Sequence, residues 1–98
     1  RMIDLTKVIV TVALKTHKKS DFIRFESYIR EIDEIVECFA TGGGSDYVMT
    51  IISRNLTDFQ CLVEQLLNEE IGIDRYVIYI ITKEVKKTSP NLVTLLSK

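Results

Sequence analysis

The residues of this chain best suited to chemistry fall in one run, Thr41-Gly42-Gly43-Gly44-Ser45-Asp46-Tyr47. Consecutive glycines lose much backbone entropy on ordering, so a chain that keeps them has a use for positive φ or for close approach of bare backbone. A glycine loop can present free N–H groups to a small carboxylate. Asp46 can accept hydrogen bonds from an ammonium group. Together they suit an amino-acid zwitterion, with both poles served in one turn. The same residues also fit a plain hairpin in which Asp46 bonds its own turn backbone. Residue chemistry alone leaves both readings open. A phosphate loop is excluded, because a helix must follow such a loop to aim its amides at the anion, and here a strand pattern follows. No lysine stands at the Walker position either.

Elsewhere the candidates are sparse. His17 is the one histidine, set among lysines in a loop pattern where it is expected to be solvated. Serine nucleophile elbows, HExxH and CxxC patterns are missing. Glu69-Glu70, Lys18-Lys19 and Lys86-Lys87 read as solvated charge. Cys38 and Cys61 have no partner at metal-ligand spacing and read as small buried hydrophobes in a reducing cytoplasm. No catalytic residue, metal ligand or cofactor is expected, and the chain is not read as an enzyme.

The surrounding composition limits the partners. The 98 residues carry 13 basic and 14 acidic side chains, a formal net charge of −1. Phosphate affinity needs clustered positive charge, so this segment is not expected to bind nucleic acid by itself. No apolar run approaches the roughly 18–20 residues that span a bilayer. Arg1–Lys7 does not read as a secretory leader, and a cytoplasmic location is expected. The first residue is Arg rather than Met, which leaves two expectations open, a fragment of a longer protein or a stand-alone domain. Residues 1–98 are expected to form one domain.

Six elements must position the loop. Thr6–Leu14 is β-branched, with Val8, Val10, Val12 and Leu14 on one strand face. Ser20 is the expected N-cap of a helix, with Asp21 in its first turn. Phe22, Phe25, Ile29 and Ile32 form that helix's apolar stripe. Glu34–Thr41 and Asp46–Ser53 read as a hairpin closed by the glycine loop. Thr57 and Gln60 have capping-box spacing ahead of a stripe of Phe59, Leu62, Val63, Leu66 and Leu67. Tyr76–Thr82 is the last strand. Beyond it Pro90 disfavours a continuous element, and Leu92–Leu96 suits a short strand or helix. The order β-α-β-β-α-β is that of an α+β, ferredoxin-like sandwich, a four-stranded antiparallel sheet with two helices on one face.

The uncovered face carries the assembly argument. In Tyr76–Thr82, Tyr76, Ile78 and Ile80 point one way and Val77, Tyr79 and Ile81 the other, and both sets are apolar. Tyr47, Met49 and Ile51 against Val48 and Ile52 repeat the pattern. A sheet with one wet face should alternate apolar with polar. Large exposed apolar patches mark interfaces, so a second copy is expected to cover this one. Tyr47, Met49, Ile51, Tyr76, Ile78 and Ile80 are the residues expected at that dimer interface.

Val36-Glu37-Cys38 followed by Gly43-Gly44-Ser45-Asp46-Tyr47 resembles the VEC…GxxDY segment of the leucine-responsive/asparagine-operon (Lrp/AsnC) regulators. Gly72-Ile73, Tyr79-Ile80-Ile81 and Glu84-Val85-Lys86 resemble that family's closing strand at matching spacing. The similarity runs from about Thr6 to Val93 in the same element order. It implies a C-terminal effector-binding domain that dimerises through its sheet and gathers into a larger ring such as an octamer. It further implies a small effector, usually an amino acid, held near the GxxD loop at contacts between dimers. Carried over, Thr41, Gly42, Gly43, Gly44, Ser45, Asp46 and Tyr47 form the effector set. DNA would be read by an N-terminal helix-turn-helix domain absent from this sequence, and a stand-alone sensor is the alternative. Gly44 and Ser45 stand where the family often has an acidic and an aromatic residue, and Ile78 where it often has Thr. These departures open the loop and remove a hydroxyl.

Two other classes share the element order. A cofactor-free monooxygenase of the dimeric ferredoxin-like kind needs polar groups between sheet and helices, where this chain has Val, Ile and Leu. An ACT-type sensor keeps its effector glycine after the first strand, where this chain has Lys15–Lys19.

Overall fold

The computed structural model describes residues 4–98. Strand β1 (Thr6–Leu14) is followed by helix α1 (Lys19–Arg30), strands β2 (Ile35–Ala40) and β3 (Tyr47–Ser53), helix α2 (Leu56–Asn68), strand β4 (Ile73–Ile80) and a short helix α3 (Leu92–Leu96). The strands form one four-stranded antiparallel sheet in the order β2-β3-β1-β4. This is the expected βαββαβ sandwich.

Local chemistry sets the element ends, in places differently from the sequence reading. Helix α1 starts earlier than a Ser20 cap implies, with Lys18 at the N-cap position. Asp21 sits inside the first turn and accepts hydrogen bonds from the Lys18 N–H at 2.9 Å and Thr16 Oγ1 at 2.6 Å. A carboxylate there also faces the positive end of the helix dipole. Helix α2 is capped by Asn55, whose side chain accepts from the Asp58 N–H at 2.8 Å, so the Thr57–Gln60 pair is not the cap. Strand β4 begins at Ile73 rather than Tyr76, because Leu14 pairs with Ile73 across a register shift at the end of β1. Gly72, ahead of it, has φ +89°, a conformation that side-chain-bearing residues rarely adopt.

The core lies between the sheet and the two long helices. Val8, Val10, Val12 and Leu14 from β1 meet Phe25, Ile29 and Ile32 from the α1 side and Phe59, Leu62 and Leu66 from α2. The helix stripes were therefore legible, although Leu67 is exposed and Phe22 and Val63 are only partly buried. Cys38 is half-buried and faces the helix side, whereas Cys61 is exposed, contrary to the expectation of two buried thiols.

The sheet's facing corrects the expected interface. Register places Tyr47, Met49 and Ile51 opposite Val12, Val10 and Val8, all on the helix side. The three are 2%, 1% and 0% exposed, so they belong to the protomer's own core and cannot line a surface between copies. Tyr76, Ile78 and Ile80 share that side, opposite the same valines, yet stay exposed. They lie on the edge strand of the sheet. The open face carries the other set. One row runs Phe39, Val48, Thr11, Val77, and the next runs Glu37, Thr50, Ile9, Tyr79. Phe39, Val77 and Tyr79 are 56%, 47% and 54% exposed, so the sheet is indeed apolar on both sides.

Candidate functional site

The glycine run joins β2 to β3 at one end of the sheet, where β1 ends and α1 begins. Antiparallel pairing puts the last residues of β1 beside the first of β3, with Val12 opposite Tyr47. Asp46, one residue outside that register, reaches back to β1 twice. Its N–H donates to the Val12 carbonyl at 2.8 Å, and its Oδ2 accepts from the Leu14 N–H at 2.7 Å. His17 Nε2 lies 2.9 Å from the same Oδ2. The Leu14 N–H holds the Asp46 carboxyl below the usual aspartate range, with partial burial opposing it and His17 adding to it. Asp46 Oδ1 has no hydrogen-bond partner among the described residues.

The loop closes on itself above this anchor. Thr41 donates its N–H to the Asp46 carbonyl at 2.9 Å and its hydroxyl to the Ser45 carbonyl at 2.7 Å. Arg75 Nη2, from β4, donates to the Gly44 carbonyl at 2.9 Å. The N–H groups of Gly42, Gly43, Gly44 and Ser45 find no backbone acceptor among the described residues. Only Gly43 of the three glycines has positive φ, at +114°, and a Cβ added to any of them would meet open space. The run therefore exposes bare amides at the surface, which is the arrangement a small anion needs.

Of the expected effector set, the structure brings Thr41, Gly42, Gly43, Gly44, Ser45 and Asp46 into one exposed turn. Tyr47 leaves it. Its ring stacks on Phe25 with centroids 4.5 Å apart, and its hydroxyl donates to Glu26 Oε2 at 2.5 Å. Burial, then that hydrogen bond and the Glu26 charge, push the phenol upward, so it stays neutral. Tyr47 thus anchors the start of β3 to α1, on the inner side of the turn.

Two residues at the site escaped the sequence reading, His17 and Arg75. The lysine-flanked sequence around His17 predicts a solvated ring, and Arg75 precedes the expected start of its strand. The signal was available in the topology: β4 pairs with the end of β1, and Arg75 lies opposite Ala13. Two surface clefts of about 470 and 490 Å³ lie elsewhere, one along Leu5, Ile52, Arg54 and Cys61, the other along Lys15, Arg24, Glu70 and Ile73. Neither includes the loop, which one protomer leaves open to solvent.

The family model for the Lrp/AsnC ligand binding domain matches residues 7–91. The chain belongs to the Lrp/AsnC family. It is similar to the transcriptional regulatory protein DoeX of Halomonas elongata, 36% identical over 91 residues that cover 93% of this chain and 58% of that protein. It is also similar to the leucine-responsive regulatory protein of Haemophilus influenzae, 28% identical across 84% of the chain and 49% of the relative. The chain thus spans about half the length of these relatives. Both are regulatory proteins by name, in keeping with the expectation that the chain is not an enzyme. Among solved structures, a transcriptional regulator of Neisseria meningitidis in complex with L-Met superposes with TM-score 0.81 at 24% identity, over 92% of this chain and 58% of that one. An AsnC family regulator of Agrobacterium tumefaciens gives TM-score 0.81 at 17% identity, over 96% and 61%. At these identities the likeness is one of fold. Among the described residues, no helix is long and apolar enough to cross a membrane.

Proposed function

We propose that this Lrp/AsnC ligand-binding domain senses an amino acid at the Gly42–Asp46 turn and transmits the binding through the assembly of its copies. The observation that carries this reading is the division of labour within Asp46. One carboxylate oxygen is tied to the Leu14 amide and His17, while Oδ1 has no partner among the described residues and shares its turn with the unbonded amides of Gly42, Gly43, Gly44 and Ser45. An α-amino acid presents a cation and an anion a few ångströms apart, and this turn offers an acceptor for one and donors for the other. The L-Met held by the structurally similar regulator supports an effector of that class.

The exposed turn needs a second surface to enclose a ligand, and contact between dimers supplies it in this reading. The dimer itself forms over the open sheet face through Ile9, Phe39, Val48, Val77 and Tyr79, and dimers close into a ring of eight copies. An effector that prefers one assembly state shifts the equilibrium toward it by its difference in affinity. DNA is controlled through a helix-turn-helix segment outside these residues, in keeping with the greater length of the relatives.

Calorimetry with each standard amino acid tests the sensing role. At least one should bind, and Asp46→Asn should weaken it roughly tenfold by removing the charge that meets the ammonium. The asparagine keeps an acceptor for the Leu14 amide, so the loop stays in place. If no amino acid binds, the domain is an oligomerisation module.

A further inference from the structure

Arg75 is the cation tied to the loop from outside it. It stands on the edge strand β4 opposite Ala13, next to the register shift between Ala13 and Leu14. It reaches across to the Gly44 carbonyl with a single guanidinium nitrogen, Nη2. Among the described residues the rest of its guanidinium has no carboxylate partner. A fully charged, planar five-donor group is thereby pinned at the rim of the glycine turn with donors to spare. The pin matters, because an unanchored surface arginine would lose side-chain entropy on meeting a ligand.

We propose that Arg75 receives the carboxylate of the effector and makes the site selective for a free α-carboxylate. This rests on the amino-acid-sensing role proposed above. The two charges of the site then match a zwitterion in order: guanidinium and loop amides on the anionic pole, Asp46 Oδ1 on the ammonium. Guanidinium and carboxylate pair through parallel N–H···O bonds, which fixes direction as well as charge. An amine without a carboxylate engages Asp46 alone, and a carboxamide offers the arginine one neutral acceptor that cannot make the parallel pair. Arg75 also gives β4 a direct stake in the loop, so ligand capture pulls on the strand whose other positions, Val77 and Tyr79, lie on the open face.

The test compares ligands as well as variants. Calorimetry on the full chain first identifies the tightest of the standard amino acids, then measures its carboxamide and its decarboxylated amine. Arg75→Gln should weaken the amino acid by roughly tenfold or more, the loss expected for a charge-assisted pair, weaken the carboxamide less and leave the amine unchanged. Arg75→Lys should restore only part of the affinity, since an ammonium cannot make the parallel pair. Equal weakening of all three ligands would mean that Arg75 merely props the loop, which overturns the proposal. Unchanged amino-acid affinity in Arg75→Gln overturns it while leaving the sensing role intact. Absence of any amino-acid binding to the unmodified chain overturns both. Melting curves of each variant confirm that the fold survives, because Arg75 is exposed and outside the core.

Discussion

The Leu14 N–H, at the last residue of β1, donates to Asp46 Oδ2 at 2.7 Å, so a loop carboxylate completes the strand's hydrogen bonding. The bond joins residues 32 apart in sequence and sets where the glycine turn stands relative to the sheet. It also makes Asp46 a structural residue before any ligand arrives. Asp46→Ala removes the side-chain acceptor of that amide and should cost about 1–2 kcal/mol, whereas Asp46→Asn should cost less. For a domain of this size each kcal/mol lowers the melting temperature by about 4–8 °C, so thermal melts resolve the two variants. Equal destabilisation by both would mean that charge, not the acceptor, holds the loop.

The pH dependence follows from two aspartates. Asp21, bonded by Thr16 and the Lys18 amide, and Asp46, bonded by the Leu14 amide, both ionise below the ordinary value of 3.8. A carboxyl with a depressed folded value stabilises the fold above its unfolded value and ceases to as pH falls through the folded one. The melting temperature should therefore hold at mildly acidic pH and fall once pH drops below about 4. A double variant, Asp21→Asn with Asp46→Asn, should show a shallower acid decline. An unchanged acid profile in that variant would place the sensitivity in other carboxyls.

The glycines are unequal. Gly43 alone in the run has φ +114°, so Gly43→Ala is strained wherever its methyl points and should lose about 1 kcal/mol or more. Gly42→Ala and Gly44→Ala meet open space at ordinary φ and should melt near the parent temperature. Their effect belongs to binding instead, where each methyl would crowd the exposed amides. A ranking with Gly43 least sensitive would contradict the observed turn.

Much of this arrangement was legible in the sequence because local and global signals agree. Phe25, Ile29, Phe59, Leu62 and Leu66 recur at helical spacing, and all are buried. The turn itself was marked by glycine and aspartate. The phase of the sheet was not legible. In β3 and β4 both alternating sets are apolar, so alternation cannot say which set faces the helices. A strand shifted by one residue exchanges its faces. Tyr47, Met49 and Ile51 were therefore assigned to the wrong side, and only their register with Val12, Val10 and Val8 decides it. His17 and Arg75 were missed for a related reason. Each reaches the loop through strand pairing across a long sequence separation, with no periodicity to announce it.

The core gives a prediction with a larger magnitude. Phe25 is fully buried, stacked on Tyr47 and part of the cluster that joins α1 to the sheet. Phe25→Ala removes that packing and leaves a cavity, for a loss of roughly 3–5 kcal/mol, measured by denaturant unfolding. Tyr47→Phe keeps the stack and removes the bond to Glu26, so it should cost about 1 kcal/mol. Because the Tyr47 ring is buried, Tyr47→Phe should leave amino-acid affinity nearly as it was. A large affinity loss with little change in stability would return Tyr47 to the ligand site.

The two sides of the sheet give the proposed assembly a test that folding does not confound. Tyr79 and Val77 lie on the open face, half exposed, in rows with Ile9, Val48 and Phe39. Met49 lies on the other side and is 1% exposed. A charge placed on the open face should be tolerated by the lone protomer but not by a face buried against a second copy, where an unpaired carboxylate is costly. Tyr79→Asp should give a folded monomer by light scattering at micromolar concentration, with the far-ultraviolet spectrum of the parent. Met49→Asp should instead unfold the chain, because its carboxylate would be trapped under α2 with no partner. Should Tyr79→Asp remain a dimer, the copies meet elsewhere, and the edge-strand residues Tyr76, Ile78 and Ile80 become the next surface to charge.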